Sequence, residues 1–170
     1  NITVRGIGRA LNVAPDAYIG VDHDLRAALA GGLSGRPGIV VIAGTGSSTY
    51  GVNAAGKSWQ SGGYGTMISD DGSSFWFGVR AIRAAAMIAD GRLARECAPL
   101  LYEPVMRQLG IGGVDDIMHR LHVAGIAPAE VAALAPLLFD AARQNDSYAL
   151  AAIHEGMGEL ACCVDAVAHA

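Results

Sequence analysis

The chain has 170 residues, of which 52% are hydrophobic and 16% charged, so it can bury a substantial core and is not disordered. Its net charge of −4 and isoelectric point near 5.6 argue against nucleic acid as the main partner. The sequence predicts neither a membrane span nor a secretory signal. Cys97, Cys162 and Cys163 are odd in number and lack metal-site spacing, which indicates a reduced, cytoplasmic compartment.

Both ends of the chain suggest truncation. It begins with Asn1 rather than methionine, and it ends inside a helix-like run over residues 149–170. We therefore expect an internal or C-terminal fragment of a longer protein.

The first predicted elements are a short strand over residues 17–21 and a helix over residues 25–33. Asp24 is placed to cap this helix at its start, and the glycines at residues 31–32 are placed to close it. The Arg-Pro-Gly turn at residues 36–38 then predicts a lobe boundary.

Three strands are predicted next. Residues 39–43 read IVVIA, and such an unbroken run of apolar, mostly β-branched residues is typical of a strand buried on both faces. A second strand over residues 48–52 is joined to a third, near residues 57–60, by a hairpin turn at residues 53–56.

The rest of the chain is predicted to be helical. A helix over residues 74–90 ends at Gly91, and residues 99–170 are alanine-rich, with interruptions at residues 110–113 and 127–128. Strands followed by helices predict an α/β or α+β lobe. The apolar positions of the first of these helices are Phe75, Val79, Ile82 and Ala86.

A glycine–hydroxyl turn, Gly44-Thr45-Gly46-Ser47, directly follows the apolar strand. A simple tight turn is the alternative interpretation. However, the end of such a strand is where α/β proteins bind ligands, and glycines let backbone N–H groups approach a phosphate. The Thr45 and Ser47 hydroxyls can donate to phosphate oxygens or position a metal-bound water. The turn is therefore a candidate anion site for phosphoryl transfer to a small polar molecule.

Carboxylates occur at two further places. Asp22 and Asp24 follow the first strand, where Asp24 can either cap a helix or accept the proton of an attacking hydroxyl, and His23 can tune it. Asp70 and Asp71 either are solvated or cap the following helix, for which Ser73 is also a candidate N-cap, or one of them binds two hydroxyls of a sugar ring. In the second case the ring of Tyr64, framed by glycines, would pack on the apolar face of the sugar.

The remaining candidate ligands are assigned structural or surface roles. His119, His122 and His154 lie on helix-like segments without matching partners, which favours surface or structural positions over metal ligation. The adjacent Cys162 and Cys163 lie in an apolar helix and are expected to pack in the core.

Taken together, the segments AGTGS, GGYG and SDDGSSFWFG, with DGR closing the next helix, resemble the N-acetylglucosamine kinase family. This family lies within a larger group that includes the benzoyl-CoA reductase activator ATPases. The resemblance runs from about Tyr18 to the end of the chain, more weakly at residues 132–136 and 144–146. It implies the actin-like, hexokinase-like ATPase fold, an α/β fold of two ribonuclease-H-like lobes, each a mixed sheet flanked by helices. Residues 1–36 would be the tail of the first lobe and residues 37–170 most of the second.

The resemblance also implies roles for individual residues. Asp24 would be the general base that takes the proton of the sugar hydroxyl. The ATP phosphates would contact the turn of Gly44, Thr45 and Gly46, and the adenine would approach Ala132. The residues expected to bind the sugar are Ser47, Ser48, Gly63, Tyr64, Gly65 and Asp70. No residue is assigned as a metal ligand.

The sequence departs from the family pattern at several positions. Tyr64 replaces a tryptophan, Asp71 a glutamate and Ser69 a glycine, and His23 stands where asparagine or threonine is common. These differences bear on sugar preference more than on kinase chemistry. The family's N-terminal phosphate loop, which helps to hold magnesium, and its first-lobe asparagine that contacts the sugar do not occur in this sequence. We therefore expect the fragment alone to be inactive.

The expected function is transfer of the γ-phosphoryl group of ATP, with Mg²⁺, to a hydroxyl of N-acetylglucosamine or glucosamine, expected to be the 6-hydroxyl. The expected assembly is a cytoplasmic homodimer with no nucleic-acid or membrane partner. One alternative is an ATPase that activates a reductase or dehydratase, but adjacent Cys162 and Cys163 do not suit its iron–sulfur cluster. The other is a non-catalytic sugar-binding regulator, which an intact phosphate loop upstream would exclude.

Overall fold

The computed structural model describes residues 10, 14 and 22–170, so the strand predicted at residues 17–21 lies outside the described residues. Within residues 22–170, the first helix is followed by a three-stranded sheet, and all later elements are helical. The elements are α1 (Asp24–Leu33), β1 (Gly38–Ala43), β2 (Ser47–Val52), β3 (Ser58–Gly62), α2 (Ser74–Ala89), a 3₁₀ turn (Arg95–Cys97), α3 (Tyr102–Leu109), α4 (Val114–Met118), a π-helical turn (His119–Val123), α5 (Pro128–Ala132), α6 (Ala135–Arg143) and α7 (Ser147–Ala168).

Helix α1 begins one residue before the predicted start and ends at Leu33, as predicted, but its capping residues differ from the prediction. His23 occupies the N-cap position, and Asp24 is the first helical residue, so the predicted capping role of Asp24 is wrong. The Asp24 Oδ1 instead accepts a hydrogen bond from the adjacent Leu25 N–H at 2.9 Å. The glycines at residues 31–32 do not close the helix either. The helix continues to Leu33, and the following residue, Ser34, has a φ of 53°, the left-handed conformation that ends it.

The sheet is antiparallel throughout, in the order β1-β2-β3. Strand β1 lies at an edge of this sheet, and its side chains alternate in exposure, with Ile39 37% and Val41 41% exposed. The prediction of a strand buried on both faces is therefore wrong for the described part of the chain. The opposite face of β1 is partly buried because Val40 and Ile42 pack against the cluster of α1 and Tyr50.

The predicted hairpin between β2 and β3 is confirmed. The Asn53 Oδ1 accepts hydrogen bonds from the Ala55 and Lys57 N–H groups, both at 3.0 Å. The Asn53 side chain therefore stabilises the turn by accepting hydrogen bonds from backbone N–H groups, as a backbone carbonyl does in an ordinary turn. Strand β3 extends beyond the prediction as far as Gly62, which brings the chain to the level of the β1–β2 turn.

Helix α2 is the centre of the main hydrophobic core. It packs against α3, α5, α6 and α7. Ser73 caps it as predicted, with its Oγ accepting a hydrogen bond from the Trp76 N–H at 3.1 Å. The predicted apolar face was only partly right, because Ile82 is buried while Val79 is 41% exposed. The residues that α2 buries are Phe77, Gly78, Ala81, Ile82, Ala84 and Ala85.

Helix α7 has 22 residues and packs on both the sheet and α2. Cys162 on this helix is exposed and Cys163 only partly buried, so the predicted core role is wrong for Cys162. The side chains of His119, His122 and His154 are exposed. Within residues 10, 14 and 22–170, no helix has the length and apolar character that crossing a lipid bilayer requires.

We expect Thr49→Val to stabilise the fold. Thr49 on β2 is fully buried, and its Oγ1 has no hydrogen-bond partner among the described residues. A buried hydroxyl without a partner costs roughly 1–3 kcal/mol, so its removal should raise the free energy of unfolding by roughly 1 kcal/mol. Urea unfolding at unchanged m value measures this.

The control for this substitution is Ser73→Ala, which removes an equally buried hydroxyl that does have a partner, the Trp76 N–H. Loss of this cap should lower the free energy of unfolding by about 1 kcal/mol. A destabilised Thr49→Val protein would show that the Thr49 hydroxyl is hydrogen-bonded after all.

Candidate functional site

The turn at residues 44–46 is held against the first amides of helix α2. The Ser74 N–H donates to the Gly44 carbonyl at 2.8 Å, and the Phe75 N–H donates to the Thr45 carbonyl at 3.2 Å. The first amides of a helix have no partner within the helix, so these two bonds satisfy both the helix and the turn. The Thr45 and Gly46 amides donate no hydrogen bond to a described residue, which leaves two N–H groups free for a ligand.

The Asp70 carboxylate lies against this turn. The residue is only 9% exposed, and its Oδ1 accepts a long hydrogen bond of 3.5 Å from the Ser47 N–H. A Cβ atom at Gly46 would lie 2.9 Å from the Asp70 Oδ2, so a glycine is needed for the turn to sit this close. None of the ion pairs among the described residues includes Asp70. A buried carboxylate without a cation is costly unless hydrogen-bond donors satisfy it.

Ser47 and Ser48 differ in what their hydroxyls do. The Ser47 hydroxyl donates to the Asp71 carbonyl at 2.7 Å and so ties β2 to the loop that carries Asp70. The Ser48 Oγ accepts a hydrogen bond from the Gln60 Nε2 at 3.2 Å, and it lies 3.4 Å from the Gly62 carbonyl. The Ser47 hydroxyl is therefore buried and engaged in a contact within the protein, whereas the Ser48 side chain is only partly buried.

Asp24 and Asp22 are distinguished by their neighbours. The Asp22 carboxylate forms an ion pair with Arg26 at 2.6 Å and lies 3.8 Å from the His23 Nε2. The His23 ring stands edge-on to Tyr50, with the ring centroids 5.2 Å apart. Asp24 forms no ion pair with any described residue. Its exposed carboxylate therefore remains available to accept a proton.

The glycine–hydroxyl turn, Asp24 and Asp70 all line one open cavity of about 350 Å³. Eight of the predicted site residues line it, because α1 packs on the sheet directly beside the turn. The only charged side chains in its lining are the carboxylates of Asp24 and Asp70. The complete lining consists of Asp24, Leu25, Ile42, Gly44, Thr45, Gly46, Ser47, Ser48, Gly63 and Asp70.

Three predicted residues do not line this cavity. Tyr64 is 68% exposed and Gly65 is exposed beside it, on a loop held by the Tyr64 N–H donating to the Ser69 Oγ at 3.0 Å. Ala132 is 9% exposed and lies in α5, which packs against α2. The apolar residues Met67 and Ile68 are exposed on the same loop as Tyr64.

Sequence reasoning missed the apolar wall of the cavity, formed by Leu25 and Ile42. The available signal was their position, since each stands within two residues of a predicted site residue, Asp24 and Gly44 respectively. Across residues 10, 14 and 22–170, no three His, Cys, Asp or Glu side chains converge to form a metal site.

The chain is similar to known proteins in both sequence and structure. Residues 2–170 match the sequence model of the BadF/BadG/BcrA/BcrD ATPase family. The chain is 35% identical over 147 residues to the N-acetylmuramic acid/N-acetylglucosamine kinase of Clostridium acetobutylicum, covering 86% of this chain and 47% of that protein. The structure matches that of a putative N-acetylglucosamine kinase from Chromobacterium violaceum with a TM-score of 0.76 and 29% identity, over 98% of this chain and 55% of the other. The chain thus spans about half the length of each of these two relatives.

We expect Gly63→Ala to be more destabilising than Gly65→Ala. Both glycines have a positive φ, of 80° and 94°, so alanine at either position costs roughly 1–2 kcal/mol in backbone strain. At Gly63 alone, a Cβ would also lie 2.6 Å from the Ser48 Oγ, whereas at Gly65 it would meet open space. The additional crowding should cost a further ~1–3 kcal/mol, measured as the difference between the two unfolding free energies. Equal losses would show that Ser48 moves aside freely.

Proposed function

Since the chain belongs to the BadF/BadG/BcrA/BcrD ATPase family and has the predicted actin-like ATPase fold, we propose that its protein is an ATP-dependent amino-sugar kinase. The observation that carries this proposal is the single cavity in which the glycine–hydroxyl turn, Asp24 and Asp70 meet. The names of the two relatives, both kinases of N-acetylated amino sugars, support the substrate class. We further propose the 6-hydroxyl of N-acetylglucosamine or glucosamine as the acceptor.

The turn at residues 44–46 is the proposed phosphate site. Its free Thr45 and Gly46 amides and the exposed Thr45 hydroxyl are hydrogen-bond donors, which suit the oxygens of ATP. Gly44 and Gly46 carry no Cβ that would keep a phosphate away from the backbone. Since no metal-binding cluster exists among the described residues, Mg²⁺ is proposed only as the ion that ATP carries, and no residue here is assigned to it. Ala132 remains a proposed neighbour of the adenine.

The proposed sugar site lies at the Asp70 side of the same cavity. Asp70 is a strong acceptor with few donors of its own, and sugar hydroxyls can supply them. Ser48 and Gly63 line the cavity beside it, and Ser47 holds the Asp70 loop in place through the Asp71 carbonyl. Tyr64 and Gly65 are proposed to contact the sugar from the adjoining loop.

Asp24 is the proposed general base. One of its oxygens is engaged by the Leu25 N–H, while the carboxylate faces the cavity without a cation. It can therefore accept the proton that the sugar hydroxyl loses as the hydroxyl oxygen attacks the γ-phosphorus. Phosphoryl transfer requires little other covalent chemistry from the protein, so most of the rate enhancement comes from positioning the two substrates.

The remaining proposals concern the whole protein. We propose that residues 1–36 belong to a first lobe and residues 37–170 to a second, and that the protein is a homodimer. The turn between α1 and β1 supports the division, although Leu25 and Leu29 of α1 pack on Tyr50 of the sheet.

The main test is Asp24→Asn in the protein expressed from its complete coding sequence. Removing a positioned base should lower kcat by about 10²–10⁴-fold, with sugar and ATP binding changed little. Steady-state kinetics, with calorimetric titration of both substrates, measure this. The melting temperature should be retained, because Asp24 does not cap α1 through its side chain.

Asp22→Asn is the matched control. Asp22 lies two residues away but is engaged by Arg26, so its loss should leave kcat nearly unchanged. The assignment is wrong if Asp22→Asn abolishes turnover and Asp24→Asn does not. ATP hydrolysis that does not depend on any sugar would instead favour an activator ATPase.

Thr45→Ala tests the phosphate site. The backbone bonds that fix the turn do not involve the Thr45 side chain, so the fold should be unaffected. Loss of a donor to a charged phosphate is worth about 1.5–3 kcal/mol, which should appear as a raised KM for ATP and slower turnover. If both constants are unchanged, Thr45 serves only as a turn residue.

A further inference from the structure

Helix α7 contains two glycines in its interior, and their surroundings differ. A glycine inside a helix costs conformational entropy relative to alanine, so it needs a compensating reason such as a close contact. Gly158 is exposed, and a Cβ there would meet open space. Gly156 is buried, and a Cβ there would lie 2.8 Å from the Phe77 Cζ and 2.9 Å from the Trp76 Cζ3. Gly156 therefore lets α7 pack directly on the first turn of α2.

The two aromatic rings have little room to move away from such a Cβ. Phe77 is 2% exposed, and its ring stands edge-on to those of Trp76 and Phe139, at centroid distances of 5.2 and 5.0 Å. The Arg80 guanidinium stacks on Trp76, 4.3 Å from the ring centroid, and pairs with Glu155 of α7. In a close-packed cluster of this kind, an added methyl group displaces the backbone that carries the rings.

That backbone also holds the proposed phosphate site. The Ser74 and Phe75 amides donate to the carbonyls of Gly44 and Thr45 at 2.8 and 3.2 Å. Ser74 and Phe75 directly precede the two aromatic residues in the chain. A shift of the first turn of α2 would therefore move the turn at residues 44–46 with it.

The Gly156 carbonyl faces the loop that carries Asp70. A Cβ at Gly72 of this loop would lie 2.5 Å from the Gly156 carbonyl oxygen. An alanine in place of Gly156 would keep this carbonyl and add a methyl group only toward the α2 rings. The turn at residues 44–46 should therefore be disturbed more than the Asp70 loop.

We propose that Gly156 is a positioning residue for the nucleotide, which acts through Trp76 and Phe77 to hold the turn at residues 44–46 in place for the phosphates. This inference rests on the proposed function, because it takes that turn as the phosphate site. It adds a residue of helix α7 that does not itself line the cavity.

Gly156→Ala, in the protein expressed from its complete coding sequence, tests the inference. Because misplacing a group by ~1 Å can cost ~10²-fold, we expect the Kd for a non-hydrolysable ATP analogue to rise about tenfold. The Kd for N-acetylglucosamine should change little. Calorimetric titration of each ligand, at a temperature where circular dichroism shows the variant to be folded, measures both. A lower melting temperature with an unchanged nucleotide Kd would show a purely structural role and overturn the inference.

Gly158→Ala is the matched control on the same helix. Since a Cβ there meets open space, the nucleotide Kd should be unchanged, and the better helix propensity of alanine should raise the melting temperature slightly. If Gly158→Ala weakens nucleotide binding as much as Gly156→Ala does, contact with the α2 rings is not the cause and the inference is wrong.

Phe77→Leu examines the same contact from α2, and it decides the matter if Gly156→Ala does not fold. Leucine lacks the Cζ and Cε1 atoms that the new Cβ would meet. Alone, Phe77→Leu leaves a gap beside Gly156 and should weaken nucleotide binding; combined with Gly156→Ala, it should restore most of the affinity. Unchanged nucleotide affinity in Phe77→Leu, or no recovery in the double variant, would overturn the inference. If the wild-type protein binds no nucleotide, the proposed function fails and the inference fails with it.

Discussion

The site depends on two backbone hydrogen bonds that join the β1–β2 turn to the start of helix α2. Ser74 and Phe75 donate to the carbonyls of Gly44 and Thr45. These bonds engage the carbonyls of Gly44 and Thr45, while the Thr45 and Gly46 amides donate to no described residue. Because α2 is also the centre of the main core, the position of the turn is fixed by the most buried element of the fold. A ligand at this turn therefore binds to a preformed surface.

A second constraint fixes the Asp70 loop from the opposite side. Gly72 has a φ of 68°, and a Cβ there would lie 2.5 Å from the Gly156 carbonyl of helix α7. The Ser47 hydroxyl holds the same loop from the sheet side through the Asp71 carbonyl. Asp70 is thus kept between the strands and the helices, which accounts for a buried carboxylate without a cation.

Local features of the fold were predictable because neighbouring residues decide them. The hairpin at Asn53, the Ser73 cap and the approximate bounds of the three strands each follow from a few adjacent side chains. The errors arose where distant residues decide. Ile39 and Val41 belong to an apolar run, yet they are partly exposed because helix α1 covers the opposite face of β1, where Val40 and Ile42 lie. The error at Asp24 is local instead, because helix α1 begins one residue before the predicted start and His23 takes the cap position.

The sequence by itself determined which residue types the site contains, since glycines, hydroxyls and carboxylates cluster in three short motifs and resemble one enzyme family. Only the tertiary structure decided which of them share a cavity. Asp24, Thr45 and Asp70 line one cavity because α1, the β1–β2 turn and the loop before α2 pack together, whereas Tyr64 is exposed on its own loop and does not line that cavity. Motif spacing cannot reveal this, because the distance between residues far apart in the chain is set by the packing of whole helices and strands.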